Sequence, residues 1–224
     1  MRDVTSAPAA AARVLEIGTP QGKARAHLHL PPGIDPGPGA RVTAPGALVL
    51  GHGAGGGIGA PDLLAVTAAA TGLGLAVALV EQPYRVAGKK VGPRGPALDV
   101  AWTAVVEHLR ADVLDAPLVT GGRSAGARTA CRTASATGAA AVLCLAFPTQ
   151  PPGRPDLPSR LPELDAAGVP VLVVQGATDP YGVPPEGPDR RVVVVPGDHA
   201  LKKGVPAVAA AVRDWLGTVL PAAP

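Results

Sequence analysis

The sequence predicts an α/β protein built on a mainly parallel, doubly wound sheet. Two observations predict it. Short, continuously apolar runs alternate with stretches of helical character along the whole chain, and that order places parallel strands beneath crossover helices. The composition supplies the matching core: of 224 residues, 47% are hydrophobic but only 2% aromatic, so the interior must be packed from Val, Leu, Ile and Ala. Gly (29) and Pro (27) are abundant and mark tight turns between the runs. A mean hydropathy of +0.26 with a net charge of +3 is far from the apolar-poor, highly charged balance of disordered chains. One domain spanning 1–224 is expected, with residues 1–12 a candidate for disorder.

Residues 13–18 and 24–30 read as two strands joined by a turn at Gln21-Gly22. His27 and His29 fall on one face, and Ala26, Leu28 and Leu30 on the other, with the period of two that strands show. The two histidines are therefore expected to face solvent and not to bind metal. A Pro/Gly-rich loop (31–45) leads to a buried strand at 46–50, a glycine-rich loop and a helix from about Pro61 to Thr71, with Pro61 as its start signal. Another apolar strand follows at 75–80. A loop carrying Arg85, Lys89, Lys90 and Arg94 precedes a helix over about 97–110, with His108 on its surface, and a strand at 117–121. Small residues from Ala125 onward open the next helix. Strands at 141–147, 169–176 and 191–197 come next. The last helix, near 206–219, presents Val208, Val212, Trp215 and Val219 as one apolar face. There is no internal repeat.

Several function classes are disfavoured at once. A pI near 9.1 without a basic stripe or interleaved aromatics gives no reason to expect nucleic acid. Cys131 and Cys144 are the only cysteines, and nothing near them has metal-ligand spacing, so two buried thiols are expected, and no metal or other cofactor. The opening MRDVTSAPAAAARVLE is broken by Pro8 and carries Asp3, so it lacks the apolar core of a secretion signal. No apolar run approaches the roughly 20 residues of a membrane span. No membrane partner is expected, and the cytoplasm is the default location.

The chemistry concentrates at Gly122-Arg123-Ser124-Ala125-Gly126, a G-x-S-x-G pattern. In so glycine-rich a chain the pattern alone carries little weight; its context carries more. A strand ends just before the serine and a helix opens just after it, as a strained nucleophile elbow requires. A serine hydroxyl is a poor nucleophile until a base takes its proton, so an acid and a histidine are expected later in the chain. Asp179 follows the strand VPVLVVQG, and His199 follows RVVVVPG. Both stand at carboxyl ends of strands, where open α/β sheets gather their sites. Asp198 is a rival acid, but a residue adjacent to the histidine is badly placed to orient its ring. The segment LVLGHGAGGGIG supplies the third requirement, backbone N–H donors for a developing oxyanion. Ala54 and Ala125 are the expected donors, with Gly53 as the alternative to Ala54, and His52 as a brace for the loop.

The same loop, Gly51-His52-Gly53-Ala54-Gly55-Gly56, also fits G-x-G-x-x-G, with Glu81 ending the next strand. A dinucleotide-binding oxidoreductase is the rival reading. Against it, the following helix starts near Pro61 and not at the third glycine, and Ser124, Asp179 and His199 are left without a role.

Four segments, GHGAGG, QPYRVAGKK, GGRSAGAR and GDHAL, together resemble the α/β-hydrolases related to dienelactone hydrolase. The likeness is greater to a small branch holding a testis-expressed hydrolase-like protein and a chromatin-complex subunit of the non-specific lethal type. The resemblance covers most of the chain and implies an eight-stranded sheet with helices on both faces and a Ser124-His199-Asp179 triad acting on a small-molecule acyl substrate. It also implies an alternative, a non-catalytic interaction protein, because some relatives act chiefly as partners. Between Phe147 and Val169 there is room for a loop and one short helix but not for a lid domain, so an open site taking short or polar acyl groups is expected. Arg85, Lys89, Lys90 and Arg123 are the candidate substrate-binding residues, as a positive rim for an anionic ester. For Arg128, which also flanks the serine, the plainer reading is a structural hydrogen-bond donor.

Overall fold

The computed structural model describes residues 12–37, 39–93 and 95–220. The readings of the opening segment and of Arg94 fall outside these residues.

The chain opens with an antiparallel hairpin, β1 (Arg13–Thr19) and β2 (Gly22–His29), turning at Pro20-Gln21. Then come β3 (Val42–Thr43), β4 (Ala47–Gly51), helix α1 (Pro61–Thr71), β5 (Ala76–Glu81), the short α2 (Pro83–Val86) and α3 (Gly95–His108). The second half holds β6 (Leu114–Asp115), β7 (Leu118–Arg123), α4 (Ala125–Thr137), β8 (Ala141–Leu145), α5 (Leu161–Asp165), β9 (Val171–Gly176), β10 (Arg190–Val195) and α6 (Val205–Val219).

Eight strands form one sheet in the order β1-β2-β5-β4-β7-β8-β9-β10. β2 runs antiparallel to both neighbours, and every pairing from β5 to β10 is parallel. The division follows the sequence pattern. Residues of β4, β8 and β9 are buried on both faces, which suits continuously apolar runs at the centre of a parallel sheet. β1 and β2 alternate, and they lie towards one edge. One face is covered by α3 and α4, which pack Trp102, Val105, Ala127, Ala130 and Cys131 against the sheet. The other is covered by α1 and α6, through Leu63, Val66, Val208, Val212 and Trp215. The expected fold, a mostly parallel eight-stranded sheet between helical layers, is the one observed. Between β8 and β9 the sole helix is α5, five residues long, so nothing there amounts to a lid.

Four local features differ from expectation. The helix expected over 97–110 begins at Gly95 and ends at His108, then continues as one π-helical turn, Leu109–Val113. β3 and β6 pair in parallel as a separate two-stranded ribbon; two residues are too few to show any period. Arg85 sits in α2, not in a loop, because Pro83 at the first position starts a helical turn. His27 and His29 are half-buried, and His27 Nε2 lies 3.0 Å from Glu81 Oε2. They do not simply face solvent, because β2 is an interior strand of the sheet.

Among the described residues no helix is long and apolar enough to cross a membrane, and no cluster of three or more His, Cys, Asp or Glu could hold a metal ion. Cys131 and Cys144 are both buried with free thiols, and burial pushes the Cys144 thiol well above its ordinary pKa.

Candidate active site

Ser124 stands between the last residue of β7 and the first of α4 with φ 52° and ψ −106°. For a residue bearing a side chain this is strained backbone, tolerated only where the surroundings enforce it. The neighbouring glycines show how. A Cβ on Gly122, whose φ is +156°, would lie 2.3 Å from the Gly51 carbonyl oxygen, and one on Gly126 would lie 2.6 Å from the same atom. The turn is thus pressed against the end of β4, and the Ser124 N–H is tied to the Leu145 carbonyl on β8 at 2.9 Å.

The loops after β9 and β10 meet this turn. His199 Nε2 lies 3.0 Å from Ser124 Oγ, and its Nδ1 lies 2.8 Å from Asp179 Oδ2. A carboxylate can only accept, so Nδ1 carries the proton and Nε2 is free to accept from the serine hydroxyl. Asp179 is held in turn by the Tyr181 backbone N–H, which donates to Oδ1 at 2.9 Å, and by the Gln175 side-chain amide, which donates to Oδ2 at 2.7 Å. The Tyr181 ring packs on the imidazole, with centroids 4.4 Å apart. Asp198 turns away, and its carboxylate accepts the Ala200 N–H.

The glycine-rich loop after β4 lies beside the serine, since a Cβ on Gly53 would be 3.6 Å from Ser124 Cβ. Buried His52 braces it. Its Nδ1 donates to the Gly53 carbonyl at 2.9 Å and its Nε2 accepts the Gln82 N–H at 3.2 Å. The bond from Gln82 needs the neutral ring, which burial favours by lowering the His52 pKa. The Tyr84 hydroxyl donates to the Ala54 carbonyl at 2.9 Å. The Ala54 and Ala125 N–H groups have no hydrogen-bond partner among the described residues. Residues 57–60 separate the loop from α1, so the loop does not open directly into a helix as a dinucleotide fingerprint does, and Glu81 pairs with His27.

The four candidate rim residues have different surroundings. Arg123 is bound inward, with Nη2 donating to the His199 carbonyl at 2.7 Å and Nε 3.0 Å from Asp62 Oδ2. Arg85 reaches the glycine-rich loop, where its Nη2 would lie 3.9 Å from a Cβ on Gly57. Lys89 lines a separate cavity of about 360 Å³ with Gln82, Tyr84 and Leu98, and Lys90 is exposed on the same loop. Arg128, with Arg132, grips Glu163 on α5.

Three residues about the site were not anticipated. Gln175 could have been noticed as a polar residue closing an otherwise apolar strand. Tyr181 and Asp62 carry no local signal.

A strained serine at a strand-to-helix turn, facing a histidine and a carboxylate from later strand ends of a lidless α/β sheet, defines an α/β-hydrolase architecture. Residues 44–203 match the family model described as alpha/beta hydrolase domain, and the chain belongs to that family. No curated protein matches the sequence. Among solved structures, similar folds include an α/β serine hydrolase without lid from Xanthomonas campestris, at 20% identity over 96% of this chain and 98% of that one, with a TM-score of 0.72. A dienelactone hydrolase from Anabaena variabilis is 18% identical over 94% and 98% of the two chains, with a TM-score of 0.68. Est1E from Butyrivibrio proteoclasticus is 17% identical over 91% and 97%, with a TM-score of 0.67.

Proposed function

We propose that the protein is a serine hydrolase that cleaves an ester or related acyl bond of a small molecule through an acyl-enzyme on Ser124. One observation carries the reading: the unbroken relay from Ser124 Oγ to His199 at 3.0 Å and from His199 to Asp179 at 2.8 Å. As Oγ attacks the substrate carbonyl, His199 Nε2 takes its proton, while Asp179 holds the ring and stabilises the imidazolium. The proton then passes to the leaving alkoxide. Water, deprotonated by the same nitrogen, releases the acid and restores the serine. The Ala125 N–H and that of Ala54, with Gly53 as the alternative to Ala54, are assigned to the oxyanion, because none has a hydrogen-bond partner among the described residues and Gly53 lies against the serine.

The names of two structural neighbours, a serine hydrolase without lid and a dienelactone hydrolase, support the reaction class. The arginine-flanked elbow, GGRSAGAR, supports kinship with the smaller branch. A short connection between β8 and β9 and a core poor in aromatics favour short acyl groups. Hydrolysis of p-nitrophenyl acetate and longer homologues tests this. Turnover should fall with chain length. Asp179→Asn should lose on the order of 10⁴-fold in kcat by leaving the wrong imidazole tautomer. An Asp179→Asn variant as fast as the wild type would reject the assigned acid.

A further inference from the structure

Asp62 and Arg123 form a charged contact that the hydrolytic mechanism leaves unused. Asp62 is in the first turn of α1 and is 0% exposed; Arg123 is 17% exposed through its side chain. The 3.0 Å contact between Asp62 Oδ2 and Arg123 Nε is poorly aligned as a hydrogen bond, and the attraction of opposite charges is the main force in it, helped by the positive end of α1. Burial pushes the Asp62 carboxyl above its ordinary range, and the Arg123 charge acts against that rise. A carboxylate held there in spite of its burial keeps the guanidinium in one place. From that place Nη2 reaches the carbonyl of His199 at 2.7 Å, while the backbone of Arg123 leads directly into Ser124. One side chain thus joins α1, the turn that bears the serine and the loop that bears the histidine.

We propose that Arg123, anchored by Asp62, is a positioning residue that fixes the His199 loop over Ser124. The proposal rests on the reading of Ser124 as nucleophile and His199 as base. The rest of that loop is held by bonds within itself, such as Leu201 N–H to Asp198, and by bonds to the loop after β9, such as Thr178 N–H to Gly197; neither kind ties it to the β7 turn. The proton-transfer distance between His199 and Ser124 is 3.0 Å, and a misplacement of about 1 Å at such a centre can cost 10²-fold in rate. The forked guanidinium meets its two partners through separate nitrogens, Nη2 and Nε, whereas a lysine ammonium offers its donors from a single point.

The test compares wild type, Arg123→Lys, the charge-neutral double variant Asp62→Asn/Arg123→Met and Ser124→Ala. It reads the rate of labelling by an uncharged fluorophosphonate, together with kcat and KM on p-nitrophenyl acetate. Arg123→Lys keeps a positive charge beside Asp62 and loses the bond to His199. Labelling and kcat should fall together by about 10- to 100-fold, with KM within twofold, and the double variant should behave the same way. Labelling of either variant at the wild-type rate overturns the proposal, as does a change confined to KM, which would make Arg123 a substrate-binding group. If neither variant folds, the pair is a stability device and the proposal is also wrong. Labelling of Ser124→Ala is a separate outcome: it rejects the nucleophile itself, whatever Arg123 does.

Discussion

Ser124 owes its conformation to atoms that are not its own. Its positive φ persists because the turn is clamped on Gly51, and the clamp works only without side chains at 122 and 126. Gly122→Ala should therefore cost on the order of 3 kcal/mol, through overpacking against backbone as well as strain at its φ; a urea midpoint unchanged from wild type would contradict this. Gln175 shows the same dependence on the polar side. Its amide serves Asp179 and also approaches the Phe147 and Gly182 carbonyls at 3.1 and 2.9 Å. Gln175→Leu should destabilise by about 1–3 kcal/mol, because buried acceptors lose their donor, and it should lower kcat more than it changes KM. The serine, acid and histidine were legible in the sequence because each follows an apolar run. Asp62 and Tyr181 were not, because partnerships between residues distant in sequence, as Asp62 with Arg123, or between a ring and a neighbouring loop, leave no local pattern.

At the scale of elements, the helices on one face are locked by charge as well as by packing. Arg128 and Arg132, one turn apart on α4, both reach Glu163 on α5, and Arg132 also grips Asp99 on α3 at 2.6 and 2.8 Å. Burial opposes the charge on Glu163, yet the two arginines outweigh it and hold its carboxyl below the ordinary glutamate value. The folded state thus binds this proton less tightly than the unfolded chain. Its stabilising contribution is full above the ordinary pKa of about 4.3 and fades as pH falls from there through the depressed folded value. Glu163→Gln should cost about 1–3 kcal/mol at pH 7; in denaturant titrations the gap from wild type should narrow below about pH 4, and a constant gap would refute the assignment. Strands and long helices were legible to within a few residues, since their periods repeat. The β3–β6 ribbon and the π turn after α3 were not, because each is shorter than the pattern that would reveal it.

For the whole molecule, the consequence of the topology is a candidate site with no covering domain between β8 and β9. Ser124, Asp179 and His199 follow the carboxyl ends of β7, β9 and β10, and the connection that could have grown into a cover holds only α5. A lidless site has nothing to open at an interface, so rate against ester concentration should follow one hyperbola, without a jump where the substrate forms micelles. Such a jump would mean that a covering segment moves. The parallel order of the sheet was readable from the alternation of runs and helices, whereas the meeting of the β7, β9 and β10 loops depends on the strand order in space, which no local pattern encodes. The central claim, that this meeting makes Ser124 a nucleophile, is tested most directly by locating a fluorophosphonate adduct by mass spectrometry of the digested protein. The adduct should sit on Ser124 in the peptide containing GGRSAG and be absent from Ser124→Ala and strongly reduced in His199→Ala. An adduct on another residue, or equal modification of the Ser124→Ala protein, would contradict the account.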